Sequence, residues 1–117
     1  MKGIEYVPKI LSCCQKREEV LVKRQSIRKY NKYFQRMRTL ARKLINENRQ
    51  DELLPYLKSD SISIRRDIAG LLFSTYPEEC TNVLNAIANQ SEVPVHFGMI
   101  QLSAIDALKH GIPKDYP

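Results

Sequence analysis

The chain has 117 residues, 43% of them hydrophobic and 27% charged, which is the profile of one ordinary globular domain. No apolar run approaches the ~20 residues that a membrane-crossing helix needs, so no helical span is expected. Net charge is +6 and unevenly placed: residues 1–49 carry 14 Lys/Arg against 4 Glu, and residues 50–117 carry 5 Lys/Arg against 9 Asp/Glu. A basic half joined to a mildly acidic half suggests an anionic partner for the first half, or a solvated face.

Residues 4–15 place Ile4, Val7, Ile10, Leu11 and Cys14 at helical spacing. Pro8 is tolerable only in a first turn, so this helix should start near Val7. A break is expected near Lys16-Arg17, with Glu18–Lys23, carrying Val20, Leu21 and Val22, as a short continuation or a separate turn. Residues 26–48 form the longest periodic segment. Ile27, Tyr30, Phe34, Met37, Ala41, Leu44 and Ile45 make one narrow apolar stripe. Arg28, Lys29, Lys32, Arg36 and Lys43 fall opposite it at about 100° per residue. Arg38 and Arg42 flank the stripe.

Residues 50–57 read as a short helix with Leu53, Leu54 and Leu57 inward, in which Pro55 sits in the first turn or bends the axis. Residues 61–75 form the central element, opened by Asp60-Ser61 and closed before Pro77. Ile64, Ile68, Leu71, Leu72 and Thr75 make one apolar face, and Ile62, Ala69 and Phe73 a second. A helix with two apolar faces must be covered on both. Pro77 with Glu78-Glu79 starts the next helix, whose inward stripe is Cys80, Val83, Leu84 and Ile87. Pro94 opens the last. Phe97, Ile100, Ala104, Ala107 and Leu108 form one of its faces and Val95, Met99 and Leu102 another, and Gly111 stops it. The tail 114–117 should fray. Without any strand pattern, the expectation is an all-α fold of about five to seven helices in antiparallel pairs, arranged as an α-solenoid.

The run Ile64-Arg65-Arg66-Asp67-Ile68-Ala69-Gly70-Leu71-Leu72 resembles the HEAT-repeat pattern V-R-x-x-A-A-x-x-L through Ile64, Arg65, Ala69 and Leu72. From about Asn31 onward, about three quarters of the chain resembles a family of small bacterial helical domains of unknown function with HEAT-like repeats. The carriers are Asn31-Lys32-Tyr33-Phe34-Gln35-Arg36-Met37, Leu53-Leu54-Pro55-Tyr56-Leu57, Ile64-Arg65 with Ala69, Tyr76-Pro77-Glu78, and Leu108 to Gly111. The resemblance implies a HEAT-like fold without catalytic residues. It also implies, by association, a role like that of small bacterial proteins that confer immunity to secreted toxins. In such repeats the arginine ties neighbouring units together, which makes Asp60 or Asp67 the expected partner of Arg65.

Four scattered glycines cannot build a phosphate-cradling loop, and Cys13, Cys14, Cys80, His96 and His110 lack zinc-ligand spacing, so no cofactor or metal is expected. Three cysteines, two of them adjacent, do not make a disulfide framework, and no cleavable leader is read at the N-terminus. A reduced cytoplasmic protein fits. His96 is expected as a neutral residue in the first turn of the last helix, and His110 near its C-terminus. The functional candidate is the basic face of Arg28, Lys29, Lys32, Arg36 and Lys43. Between Lys23 and Asn46 there is no acid at all, whereas surface helices ordinarily mix signs. The expectation is a non-enzymatic module that binds an acidic protein surface, such as a toxin domain, with nucleic acid as the alternative partner.

Overall fold

The computed structural model describes residues 5–94, 97–113 and 116–117. Among these the fold is all-α. Five α-helices, α1 (Tyr6–Val22), α2 (Ile27–Asn46), α3 (Ile62–Leu72), α4 (Pro77–Ala88) and α5 (Gly98–His110), are joined by a 3₁₀ helix, Gln50–Lys58, between α2 and α3. Chain neighbours pair: α1 with α2, the 3₁₀ helix with α3, and α4 with α5. α3 also packs on α1, α4 and α5. No described helix is long and apolar enough to cross a membrane.

The central position of α3 follows from its composition. Ile62, Ile68, Ala69, Leu71 and Leu72 are all buried, and so are the polar Ser63 and Asp67. Ser61 caps the helix by accepting from the Ile64 amide at 3.2 Å. Thr75, expected on a buried face, is exposed because the helix ends at Leu72. Around α3, Ile10, Met37, Leu44, Leu53, Leu84 and Ile87 are fully sealed from solvent.

Several boundaries differ from the sequence reading. α1 runs unbroken through Lys16-Arg17, because nothing from Ser12 to Val22 is a strong helix breaker and Arg17 faces inward. Pro55 lies inside its helix, and there the chain adopts the tighter 3₁₀ winding over nine residues. α5 begins at Gly98, and Met99 and Leu102, placed on a second apolar face, are 54% and 65% exposed. Ile27, assigned to the inward stripe, is 66% exposed: it is the first residue of α2 and lines an open groove with Val20 and Leu21 of α1. The expectations for Val95, His96, Lys114 and Asp115 lie outside the described residues.

The end of the chain is docked rather than frayed. Tyr116 stacks on Phe34 with ring centroids 6.0 Å apart, and Arg38 lies over the Tyr116 ring at 5.2 Å from its centroid. Ser74 Oγ donates to the Tyr116 carbonyl at 3.3 Å, and Arg42 Nε donates to the Pro117 carbonyl. Two residues of α2 that flank its stripe are thus used to hold the tail.

Candidate functional site

The α1–α2 turn positions the basic face. After α1 the Arg24 amide donates to the Leu21 carbonyl at 3.3 Å and the Gln25 amide to the Val20 carbonyl at 2.9 Å. This is a Schellman stop, with Arg24 at φ 51° in the place that glycine usually takes. Ser26 then caps α2, its Oγ accepting from the Lys29 amide at 3.3 Å. α2 ends in a second Schellman stop, built on Asn48 at φ 57°.

On the helix so placed, Arg28, Lys29, Lys32, Arg36 and Lys43 are all exposed. They span an arc of about 100° on the outer side of α2. Among the described residues none of the five enters an ion pair. The nearest acid on α1, Glu19, bonds Lys23 at 2.8 Å, and the acid cluster at the far end of α2, Glu47 with Glu52, is taken up by Arg49 at 3.0 and 2.7 Å. The structure therefore gathers the expected basic residues on one side and leaves them outside any described ion pair, with Lys29 alone of the five acting at a distance on Glu19.

At the N-terminal end of α2 lies an apolar groove missed in the sequence. Val20, Leu21, Ile27, Tyr30 and Met99 line it, together with Arg24 and Gln25. Ile27 and Met99 supply its exposed apolar surface. The only sequence signal for it is that α5 carries apolar residues on more than one side, which reads equally well as burial.

Cys13, Cys14 and Cys80 are all buried, and Cys14 Sγ lies 3.4 Å from Met37 Sδ. Burial raises each thiol, Cys80 to about 12 and Cys14 further still, with the nearby Asp67 carboxylate adding to the Cys14 shift. No described group of three or more His, Cys, Asp and Glu could hold a metal. His110 Nε2 lies 3.5 Å from Asp106 at the exposed end of α5.

Arg65 does not make the expected tie. Its Nε is buried without a hydrogen-bond partner, and the α3 carboxylate that binds an arginine, Asp67, takes Arg17 of α1. Charge pairing between elements thus runs from α1 to α3. A sequence signal for this existed: Asp67 lies in a helix with two apolar faces to be covered, and a carboxylate buried there needs a partner. Which cation answers it depends on long-range packing.

No family model, no curated protein and no solved structure matches the chain.

Proposed function

We propose that the protein is a non-catalytic, HEAT-like α-solenoid module that binds an acidic protein surface, in the manner of an immunity protein that occludes a toxin domain. One combination carries this: α2 bears an unpaired basic ridge on its outer side, and an exposed apolar groove around Ile27 and Met99 opens at its N-terminal end. Protein interfaces combine an apolar anchor with a polar rim, and like-signed rim charge speeds encounter with a surface of opposite sign. Arg24 adds a basic residue to the groove itself. It lines the groove from a left-handed backbone position where glycine would be less strained. The solenoid arrangement is supported by the pairing of successive helices and by the stacking of α1 and α5 on α3. The immunity role is supported only by the family resemblance.

Nucleic acid is the second reading, favoured by the five unpaired cations alone. The aromatic rings that could stack on bases are engaged elsewhere: Tyr30 and Phe34 under Arg17, and Tyr116 on Phe34.

The experiment is co-expression with the product of the adjacent gene, followed by gel filtration at 0.15 M salt. A stoichiometric complex is expected. Arg28→Glu, Lys32→Glu and Arg36→Glu together should abolish it while leaving helicity and melting temperature intact. A folded triple variant that binds equally well would overturn the assignment of the ridge. Binding of mixed-sequence RNA with a steep inverse salt dependence, in the absence of any protein complex, would move the function to the second reading.

A further inference from the structure

A second concave feature lies on the side of α2 away from the basic ridge, next to the groove with which it shares Tyr30, and is bounded by α1, α2, α3, α5 and the docked tail. It is a cleft of about 340 Å³, within the range of small-molecule sites. Its floor holds three charges: Arg17, Arg66 and Asp67. Arg17 and Asp67 are nine-tenths buried and cancel each other. Arg66 is left over. Its Nε donates to the neutral Ser103 Oγ at 3.0 Å, and no described carboxylate pairs with it. Asp106 at the cleft edge is mostly exposed and turned to His110. The floor therefore carries one uncompensated positive charge.

Burial is the main force pulling down the Arg66 pKa, ahead of the opposing pull of Asp67, as expected for a guanidinium withdrawn from water without full compensation. The backbone provides a seat for it. A Cβ on Gly70 would lie 2.9 Å from Arg66 Nη1, so the guanidinium lies across α3 in the space left by the missing side chain. The walls are aromatic: Tyr30, Phe34 and Tyr116 all line the cleft. Arg17 sits 4.1 Å from the Tyr30 centroid and 4.9 Å from that of Phe34, so rings cover it and it adds charge rather than an open donor edge.

We propose that this cleft is a binding site for a small organic monoanion, an aromatic carboxylate, whose carboxylate meets the Arg66 guanidinium and whose ring lies against the wall formed by Ile112 and the edges of Tyr116 and Phe34, the faces of those two side chains being taken by each other, Arg17 and Arg38. One surplus charge and one guanidinium fork match a carboxylate, which pairs with arginine through two parallel N–H···O bonds. A phosphate dianion would need more donors than Arg66 and Ser103 offer. The site is independent of the basic ridge and of any protein partner.

The test is titration of the full chain with sodium benzoate, followed by amide and arginine side-chain NMR, with benzyl alcohol as the uncharged isostere and inorganic phosphate as the ringless anion. Saturable shifts at Arg66, Gly70 and Ser103 are expected with benzoate at millimolar concentration, and at least tenfold weaker effects with the other two. Arg66→Gln should weaken benzoate at least tenfold. Gly70→Ala, which favours the helix but displaces Nη1, should weaken it several-fold in a chain that melts no lower. Equal responses to benzoate and benzyl alcohol, tighter binding of phosphate, or benzoate affinity unchanged in Gly70→Ala would each overturn the proposal.

Discussion

Arg17 of α1 and Asp67 of α3 form a buried ion pair across 50 residues of chain, and the same guanidinium is roofed by the rings of Tyr30 and Phe34 of α2. Three helices are therefore fastened at one cation. Burial holds the Asp67 carboxyl above its ordinary range, against the opposing pull of Arg17 and Arg66. Such a pair adds little over an apolar replacement, but its two halves cannot be separated cheaply. Arg17→Met should cost about 3–5 kcal/mol, because it strands a buried carboxylate. Urea unfolding at pH 7 measures this, and the cycle with Asp67→Asn should show coupling above about 1 kcal/mol. Independent, additive effects would mean that the pair does not act as a unit.

Stability should decline on the alkaline side, and the sign follows from the buried weak acids. Burial raises Cys13, Cys14, Cys80, Tyr30 and Tyr116, with Tyr116 and Cys80 each at about 12. Tyr6 is raised first by its own bond, its hydroxyl donating to Glu47 Oε2 at 2.6 Å. The folded chain thus keeps protons that the unfolded chain releases, so stability is complete below the unfolded values and lost as pH rises through the folded ones. The urea midpoint should begin to fall near pH ~8.5, where unfolded thiols ionise, and steepen above ~10, where unfolded tyrosines do. Cys80→Ala should flatten the first part of that curve. A midpoint constant from pH 8 to 11 would contradict these burial assignments.

The docked tail makes a third prediction. Tyr116 is held by Phe34, Arg38 and Ser74, and the Pro117 carbonyl by Arg42. Tyr116→Ala should lower stability by about 1–3 kcal/mol, less than a fully buried aromatic, because the ring is half-buried. It should also expose the 111–113 segment to protease. An unchanged melting temperature with unchanged proteolysis would show that the docking contributes nothing.

Local pattern carried most of the fold and little of the surface. The Ser61 cap, the Pro77 start and the Gly111 stop at φ 79° were legible because each has a short-range cause. The basic ridge was legible because an acid-free run on a helix needs no tertiary information. Lys16-Arg17 misled because adjacent charges resemble a surface break, and the rings and carboxylate that bury Arg17 come from two other helices. Ile27, Met99 and Leu102 misled because an apolar residue at helical spacing is read as core whether or not anything covers it. The fraying expected of the tail failed for the same reason: its partners Phe34, Arg38 and Arg42 lie far away in the chain.

The last prediction separates fold from function at Arg24. Its φ of 51° places a bulky side chain in a conformation that costs an ordinary residue about 1–2 kcal/mol. Glycine adopts it freely but loses more entropy on folding, roughly 0.5–1 kcal/mol, so Arg24→Gly should be neutral to stabilising by about 1 kcal/mol. Asn48, at φ 57° in the equivalent stop after α2, tolerates that position better and should gain less from the same change. If Arg24 is kept for the groove it lines, the stabilised variant should bind the acidic partner several-fold more weakly, mostly through a slower association rate that vanishes at high salt. Thermal melts and stopped-flow association on the same preparation give both numbers. A variant that is more stable and binds equally well would remove Arg24 from the interface while leaving its backbone strain as a structural fact.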